Sequence, residues 1–151
     1  KALSIIELAK QKNTKIHLPV DVVCAKEFKE GAESKIFPID SIPNEYEGLD
    51  SGPESVEKFK RIIMSSKTIL WNGPVGVFEL ESFSKGTKEI GIAIAESTKS
   101  GAFSLVGGGD SVAAVKKFNL ENEVSYVSTG GGAMLESLEG KILPGISALK
   151  K

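Results

Sequence analysis

Three short apolar runs, each followed by a glycine-bearing turn and a helical pattern, constrain the fold more than any other feature of this sequence. They span residues 68–71 (TILW), 102–106 (AFSLV) and 124–128 (VSYVS). Short β-branched runs that alternate with amphipathic segments across short linkers are typical of a parallel sheet with crossover helices. The sequence therefore predicts an α/β fold with these three strands in one parallel sheet.

Further predicted elements surround these strands. Residues 16–25 have the pattern of another strand, in which Pro19 indicates an edge position, a bulge or a late start. Residues 26–50 are polar and rich in turns, although SKIFPID within them resembles a short strand. Helical patterns cover residues 2–12, 50–63, 82–98 and 110–118, and TGGGAMLESLEG (129–140) reads as a glycine turn leading into a helix.

All three glycine turns follow strands, so the parallel arrangement places them at the carboxyl edge of the sheet, where open α/β sheets bind ligands. Helices that begin at Asp110 and near Gly131 would present unpaired N–H groups there, and the preceding glycines would let anionic oxygens approach. The sequence contains neither G-x-x-x-x-G-K-[ST] nor G-x-G-x-x-G. The turns therefore predict phosphate binding by a loop of another kind.

Two interpretations of Asp110 are open on the residues alone. As the first residue of a helix it would serve as an N-cap. At a phosphate site its carboxylate would instead hold Mg²⁺ between itself and the phosphate oxygens. Ser111 has the same ambiguity, because its hydroxyl suits either a phosphate contact or the first turn of the helix.

The segment WNGPVGVFE (71–79) is too apolar for an ordinary solvent loop. Val75 and Phe78 could form a wall for a flat ring, and Glu79 could accept hydrogen bonds from sugar hydroxyls. Alternatively, Trp71 and Phe78 close the core at the edge of the sheet. The sequence does not decide between these two interpretations.

The composition of the 151-residue chain excludes several other classes. A formal net charge of −1 lacks the positive excess of a non-specific nucleic-acid binder. No apolar run is long enough to span a membrane and no signal-peptide pattern is present, so the expectation is an intracellular, soluble protein without a membrane partner. The single cysteine, Cys24, is expected to be buried and inert, and the single histidine, His17, to be exposed and incidental. No Cys/His cluster or Ser-His-Asp set supports a zinc or hydrolase site.

Five ordered segments resemble the carboxyl-terminal, nucleotide-binding domain of phosphoglycerate kinases. These segments are LPVDVVCAKEF, GLDSGPES, LWNGPVGVFE, GGGDSVAA and VSTGGGAMLESLEGKILPGI. The resemblance runs from about Leu18 to Ile146. It implies a Rossmann-like, three-layer αβα fold, and residues 1–151 are expected to be the carboxyl-terminal part of that domain.

The resemblance also implies a reaction: reversible transfer of a phosphoryl group from 1,3-bisphosphoglycerate to MgADP, which gives 3-phosphoglycerate and MgATP in glycolysis. Asp110 would hold Mg²⁺, Ser111 (where the family more often has threonine) would contact phosphate, and Glu79 would bind the ribose hydroxyls. Gly131 and Gly132, with Gly108, would present N–H groups to the phosphoryl group in transfer. The remaining nucleotide contacts would be Gly48 at the adenine, Asn72, Gly73, Pro74, Val75 and Phe78 at the nucleoside, and Gly107, Gly108 and Gly109 near the phosphates.

The resemblance leaves out two parts of the family's pattern. The amino-terminal domain, which binds 3-phosphoglycerate or 1,3-bisphosphoglycerate, and an earlier glycine- and lysine-bearing segment of the nucleotide domain have no counterpart here. The chain is therefore expected to be a partial domain that is inactive alone and prone to self-association at an exposed sheet edge, whereas the intact enzyme is expected to be a cytoplasmic monomer. The alternative is a non-catalytic α/β module that binds a nucleotide.

Overall fold

The computed structural model describes residues 1–149. Six strands, six α-helices and one 3₁₀ turn lie along this part of the chain. In order they are α1 (Ala2–Gln11), β1 (Asp21–Ala25), β2 (Ser34–Pro38), β3 (Glu47–Ser51), α2 (Pro53–Ser65), β4 (Thr68–Trp71), the 3₁₀ turn (Glu81–Phe83), α3 (Lys85–Lys99), β5 (Phe103–Val106), α4 (Gly109–Lys117), β6 (Tyr126–Val127), α5 (Gly131–Leu138) and α6 (Pro144–Leu149).

The three strands that the sequence predicts as parallel form one sheet in the order β4-β5-β6. Leu70 pairs with Leu105 and Leu105 with Tyr126, so the strands are parallel and in register. Helix α3 connects β4 to β5 and α4 connects β5 to β6. The prediction of an α/β fold with a parallel sheet and crossover helices is confirmed.

The core lies on one face of this sheet, because alternate residues of each strand point to the same side. α3 and α4 cover that face, while Leu70, Phe103 and Tyr126 on the other face are each more than 40% exposed. The buried cluster consists of Ile69, Trp71, Phe78, Ile90, Ile94, Ala102, Val106, Ala114, Val115 and Val124.

A second, antiparallel sheet in the order β2-β1-β3 is the feature that the sequence analysis missed. SKIFPID does contain a strand, β2, but EGLDS forms a further strand, β3, where the sequence predicts turns and the start of a helix. β1 begins at Asp21 rather than residue 16, after Pro19, which lacks the N–H that a paired strand residue donates. Of the edge position, the bulge and the late start that Pro19 indicates, the structure shows the late start, and β1 is the central strand of its sheet rather than an edge.

Helix α2 has Pro53 in its first turn and Glu54 beside it, as its sequence predicts. It begins at Pro53 rather than at residue 50, because Asp50 and Ser51 belong to β3. Its N-terminus is capped from β1 rather than from its own residues. The Asp21 carboxylate accepts hydrogen bonds from the Glu54 N–H at 3.1 Å and the Ser55 N–H at 2.7 Å. Burial raises the pKa of Asp21, but the hydrogen bonds from Ser55 and Glu54 outweigh it, so the pKa lies below its usual value. β1 and α2 are thereby fixed to each other.

The structure also bears on the single cysteine, the single histidine and the lengths of the helices. Cys24 is fully buried, which raises the pKa of its thiol, and His17 is exposed, as the sequence predicts for both. Among residues 1–149, no helix has the length and apolar character that a membrane crossing requires.

Candidate functional site

The glycine turns after β4, β5 and β6 lie against one another. A Cβ atom on Gly131 would stand 2.6 Å from the backbone nitrogen of Gly108, and one on Gly108 would stand 3.2 Å from the Asn72 side-chain nitrogen. Gly107 in turn faces the Met134 side chain of α5, and a Cβ atom there would overlap the methionine. The absence of side chains at these positions is what allows the three turns to meet at one edge of the sheet.

The turn after β5 requires glycine for its backbone conformation as well. Gly108 has a φ of 88°, in the left-handed region that L side chains rarely adopt. It serves as N-cap of α4, with no side chain bonded to the free N–H groups of the first turn. α5 likewise begins after Gly130 without a side-chain cap. Two helix N-termini with free donors and partial positive charge therefore lie side by side.

Asp110 lies in the first turn of α4, one residue inside the helix, and its side chain is exposed. No side chain of residues 1–149 caps α4 by a hydrogen bond, so the N-cap interpretation of Asp110 does not describe this structure. Its carboxylate faces solvent next to the converging turns. Residues 1–149 contain no group of three or more His, Cys, Asp or Glu side chains that could hold a metal ion. Mg²⁺ would fit here on the Asp110 carboxylate together with oxygens of a bound phosphate, a donor set that Mg²⁺ commonly takes.

Ser111 is fully buried, and its hydroxyl oxygen accepts a hydrogen bond from the Gly73 N–H at 2.5 Å. This contact joins the first turn of α4 to the segment Asn72–Glu79, which is called the nucleoside loop below because the sequence resemblance predicts nucleoside contacts there. The serine therefore has a structural partner that the sequence analysis did not foresee. Its predicted contact with phosphate stays a prediction.

Thr87 in α3 also holds the nucleoside loop. Its hydroxyl accepts hydrogen bonds from the Val75 N–H at 3.2 Å and the Gly76 N–H at 3.1 Å, and the Val77 N–H bonds to the Leu49 carbonyl at 2.8 Å. An apolar loop with few side-chain donors is thus fixed through its backbone by α3 and β3. Thr87 carried no sequence signal, because it lies within an ordinary helical pattern.

Phe78 is only 5% exposed and packs in the core cluster with Trp71. The Trp71 indole N–H donates to the Gly73 carbonyl at 2.9 Å, which closes the turn at the end of β4. These positions agree with the interpretation in which both aromatic residues close the core at the sheet edge. Val75 is half-buried and Glu79 is exposed, so both remain accessible to solvent. Their contacts with a nucleoside, and that of Phe78, stay predictions.

Gly48 lies in β3, far along the chain from the nucleoside loop, yet the two share a cavity of about 360 Å³. Its lining includes Pro74 and Val75. A Cβ atom on Gly48 would come within 2.9 Å of the Val22 side chain. The structure thus brings together Gly48 and two of the predicted nucleoside contacts.

Asp50 is a buried acid that the sequence analysis did not single out. Its carboxylate accepts hydrogen bonds from the Ser51 N–H at 2.9 Å and from the Gly86 N–H of α3 at 2.7 Å. Gly76 of the nucleoside loop packs so closely that a Cβ atom there, or on Gly86, would overlap the carboxylate. Burial raises the pKa of Asp50 to about 6 despite these two hydrogen bonds. Asp50 therefore joins β3, α3 and the nucleoside loop at one point.

The meeting of Gly131 with Gly108 gives a direct test of the site geometry. Gly131→Ala places a methyl group against the Gly108 backbone, which cannot move aside like a flexible side chain. We expect it to lower the free energy of unfolding by about 2 kcal/mol, measured by urea denaturation. Gly130→Ala is the matched control, because its Cβ would have no neighbour within 4 Å. Equal stabilities of the two variants would contradict the packing described for the turns.

Comparison with known proteins shows which family this chain belongs to. The family model described as phosphoglycerate kinase matches residues 1–141. The chain belongs to the phosphoglycerate kinase family. A family member from Thermosipho africanus, named phosphoglycerate kinase, is 57% identical over 149 residues, which cover 98% of this chain and 37% of that protein. One from Porphyromonas gingivalis is 54% identical, over 99% of this chain and 36% of that protein.

A solved structure agrees with the sequence matches. Phosphoglycerate kinase from Coxiella burnetii superposes with a TM-score of 0.92 at 47% identity, over 99% of this chain and 38% of the other. The resemblance that the sequence motifs predicted is confirmed. The chain spans little more than a third of the length of the relatives it matches.

Proposed function

We propose that this chain supplies part of the nucleotide and Mg²⁺ site of a phosphoglycerate kinase. The enzyme would transfer a phosphoryl group reversibly from 1,3-bisphosphoglycerate to MgADP, giving 3-phosphoglycerate and MgATP in glycolysis. One observation carries the proposal. Two helix N-termini without side-chain caps and a glycine turn meet beside the carboxylate of Asp110, which has no hydrogen bond or ion pair within residues 1–149. That arrangement suits a metal-bound polyphosphate.

The backbone would provide most of the chemistry. Phosphoryl transfer needs positioning and charge neutralisation rather than covalent participation by the protein. N–H groups of Gly108, Gly131 and Gly132 would stabilise the charge on the phosphoryl group in transfer, as preorganised donors do elsewhere. Mg²⁺ held by Asp110 would neutralise charge on the nucleotide phosphates. Gly107, Gly109 and the Ser111 hydroxyl would lie next to the same phosphates.

The nucleoside would lie along the nucleoside loop. Asn72, Gly73, Pro74, Val75 and the remaining exposed edge of Phe78 would line it. Gly48 would face the adenine, since it shares a cavity with Pro74 and Val75. The exposed carboxylate of Glu79 would accept hydrogen bonds from the ribose hydroxyls. The order along the site would then be adenine, ribose, phosphates, Mg²⁺.

The rest of the reaction would depend on sequence that this chain does not contain. Because the matched relatives are much longer, we propose that residues 1–151 form the carboxyl-terminal part of the nucleotide-binding domain. The phosphoglycerate substrate would bind to an amino-terminal domain, and the chain alone would be inactive. The exposed apolar sheet face at Leu70, Phe103 and Tyr126 supports self-association of the isolated chain, whereas the intact enzyme would be a monomer.

A cytoplasmic location belongs to the same proposal. A relative from Triticum aestivum, 53% identical over 148 residues, is named as the cytosolic phosphoglycerate kinase. The net charge of −1 and the helix lengths within residues 1–149 give no support to a nucleic-acid or membrane partner.

Binding of MgADP to the chain tests the proposal directly. We expect amide resonances at Gly107–Ser111 and Val75–Glu79 to shift on titration with MgADP in a two-dimensional NMR spectrum. Those of α1, remote in sequence from both segments, should stay unchanged and serve as the internal control. A well-dispersed spectrum that ignores MgADP would show that these turns do not bind nucleotide in this chain.

Complementation separates the enzyme from the alternative, a non-catalytic nucleotide-binding module. The missing amino-terminal portion, taken from a close relative and supplied as a separate chain, should restore phosphoryl transfer if this chain is part of a phosphoglycerate kinase. Nucleotide binding that is unaffected by the added portion, with no turnover, would favour the module.

A further inference from the structure

Lys117, the last residue of α4, contacts the backbone of the nucleoside loop. Its Nζ donates hydrogen bonds to the Phe78 carbonyl at 2.7 Å and to the Glu79 carbonyl at 3.2 Å. The Glu81 carboxylate lies 3.8 Å from the same nitrogen. Of these, the two carbonyl contacts matter most, because they hold the chain at the residue proposed to bind ribose.

The opposite end of the same helix holds the opposite end of the same loop. At the start of α4, the Ser111 hydroxyl accepts the hydrogen bond from the Gly73 N–H. The loop is therefore fixed to α4 at Gly73 through Ser111 and at Phe78–Glu79 through Lys117. Thr87 holds the middle from α3. A single rigid helix thus carries both the free N–H groups proposed for the phosphates and the side chain that sets the position of Glu79.

We propose that Lys117 is a positioning residue for nucleotide binding, which holds Phe78 and Glu79 at a fixed place relative to the phosphate turn of α4. The proposal rests on the function proposed above, and deepens it. Glu79 itself is exposed, with no side-chain hydrogen bond within residues 1–149. Its carboxylate can be presented to a ribose only if its backbone is held, and Lys117 supplies the contact to its carbonyl. The lysine does not touch nucleotide and is not a catalytic residue.

A purely electrostatic role for Lys117 at the C-terminus of α4 has to be distinguished from a role in positioning the nucleoside loop. Cations near a helix C-terminus interact favourably with the helix dipole, and exposed ion pairs add little to stability. Lys116 shares that position on α4, and both lysines are exposed, but Lys116 makes no hydrogen bond or ion pair within residues 1–149. A dipole effect would therefore appear equally at Lys116 and Lys117. Control of the nucleoside loop would appear at Lys117 alone.

The test compares Lys117→Met, Lys117→Arg and Lys116→Met in the 151-residue chain, each titrated with MgADP and with magnesium pyrophosphate. Pyrophosphate contains the phosphates but no ribose, so it reaches only the turns at the helix N-termini. We expect Lys117→Met to weaken MgADP binding roughly tenfold, as for the loss of charge-assisted hydrogen bonds, with pyrophosphate binding unchanged. Lys117→Arg should recover most of the loss, and Lys116→Met should match the original chain. An equal loss for both ligands, or equal effects of the two methionine variants, would overturn the proposal.

Hydrogen exchange without nucleotide provides a second, independent measurement. The Phe78 and Leu80 N–H groups bond to Gly76 and Val77 carbonyls within the loop. Lys117→Met should raise their exchange rates severalfold relative to amides of β5, which report on the fold as a whole, and Lys116→Met should not. Unchanged rates in the loop would overturn the proposal even if nucleotide binds. If the original chain binds neither ligand, the proposed function fails for this chain, and the exchange rates alone decide whether Lys117 holds the loop.

Discussion

Replacement of Asp110 by asparagine is expected to weaken binding of MgADP about 100-fold, equivalent to nearly 3 kcal/mol. The side chain is exposed in the first turn of α4 and caps no helix, so asparagine should leave the fold intact. It keeps the shape but removes the negative charge that strengthens the bond between a carboxylate and Mg²⁺. Affinity for ADP without Mg²⁺ should change little or rise, because a negative charge beside the phosphates has been removed.

Titration calorimetry with and without Mg²⁺ measures this effect. Glu121→Gln is the matched control, since Glu121 is an exposed acid between α4 and β6, at the opposite end of α4 from the phosphate turn. Both variants lose one negative charge, so a general change in the electrostatic field affects both. An Asp110→Asn chain that still gains affinity from Mg²⁺ to the original extent would exclude Asp110 as the metal ligand.

The buried carboxylate of Asp50 is expected to make the chain less stable as the pH rises from about 4 to about 7. Burial raises its pKa from 3.8 to about 6, so between these values the folded state binds a proton that the unfolded state has released. Stability from a raised pKa is complete below the unfolded value and is lost as the pH passes the folded value. Two pKa units correspond to about 3 kcal/mol of unfolding free energy.

Urea denaturation of the original chain and of Asp50→Asn across this pH range isolates the contribution. Other carboxyl groups, such as Asp21 with its lowered pKa, change stability in the opposite direction, so the difference between the two proteins is the quantity to follow. We expect the advantage of the original chain over Asp50→Asn to decrease by about 3 kcal/mol between pH 4 and 7. Asp40→Asn, which removes an exposed carboxyl group, serves as control. A constant difference for Asp50→Asn would mean that its carboxyl titrates normally.

The parallel half of the fold could be predicted from sequence because its strands are short apolar runs with clear turns. β4 and β5 fall within a residue of their predicted limits. β3 could not, since EGLDS contains glycine and two acids, residues with low strand preference. It forms because it pairs with β1, and because Leu49 and Asp50 are buried by distant segments. Such pairing leaves no local pattern in the sequence.

The candidate site likewise contains residues that the sequence could predict and residues that it could not. Glycines mark the turns because their conformation and close approach exclude side chains, and those requirements are visible in the sequence. No comparable sequence pattern identifies the residues that contact these segments through their side chains, namely Thr87, Asp50 and Lys117. Lys117 reaches a carbonyl 39 residues away and Asp50 an N–H 36 residues away. Burial of Ser111 was equally hidden, because its partner is the backbone of a different turn.

The length of α4 limits which sequence changes the protein would tolerate. Its nine residues span about 13 Å at 1.5 Å per residue, and Ser111 and Lys117 both reach the nucleoside loop from its two ends. One inserted residue would lengthen the helix and turn Lys117 through about 100° away from the Phe78 carbonyl. The length of α4 therefore fixes the spacing between the two points at which it holds the nucleoside loop. Substitutions on its surface would be tolerated far better than any change in its residue count.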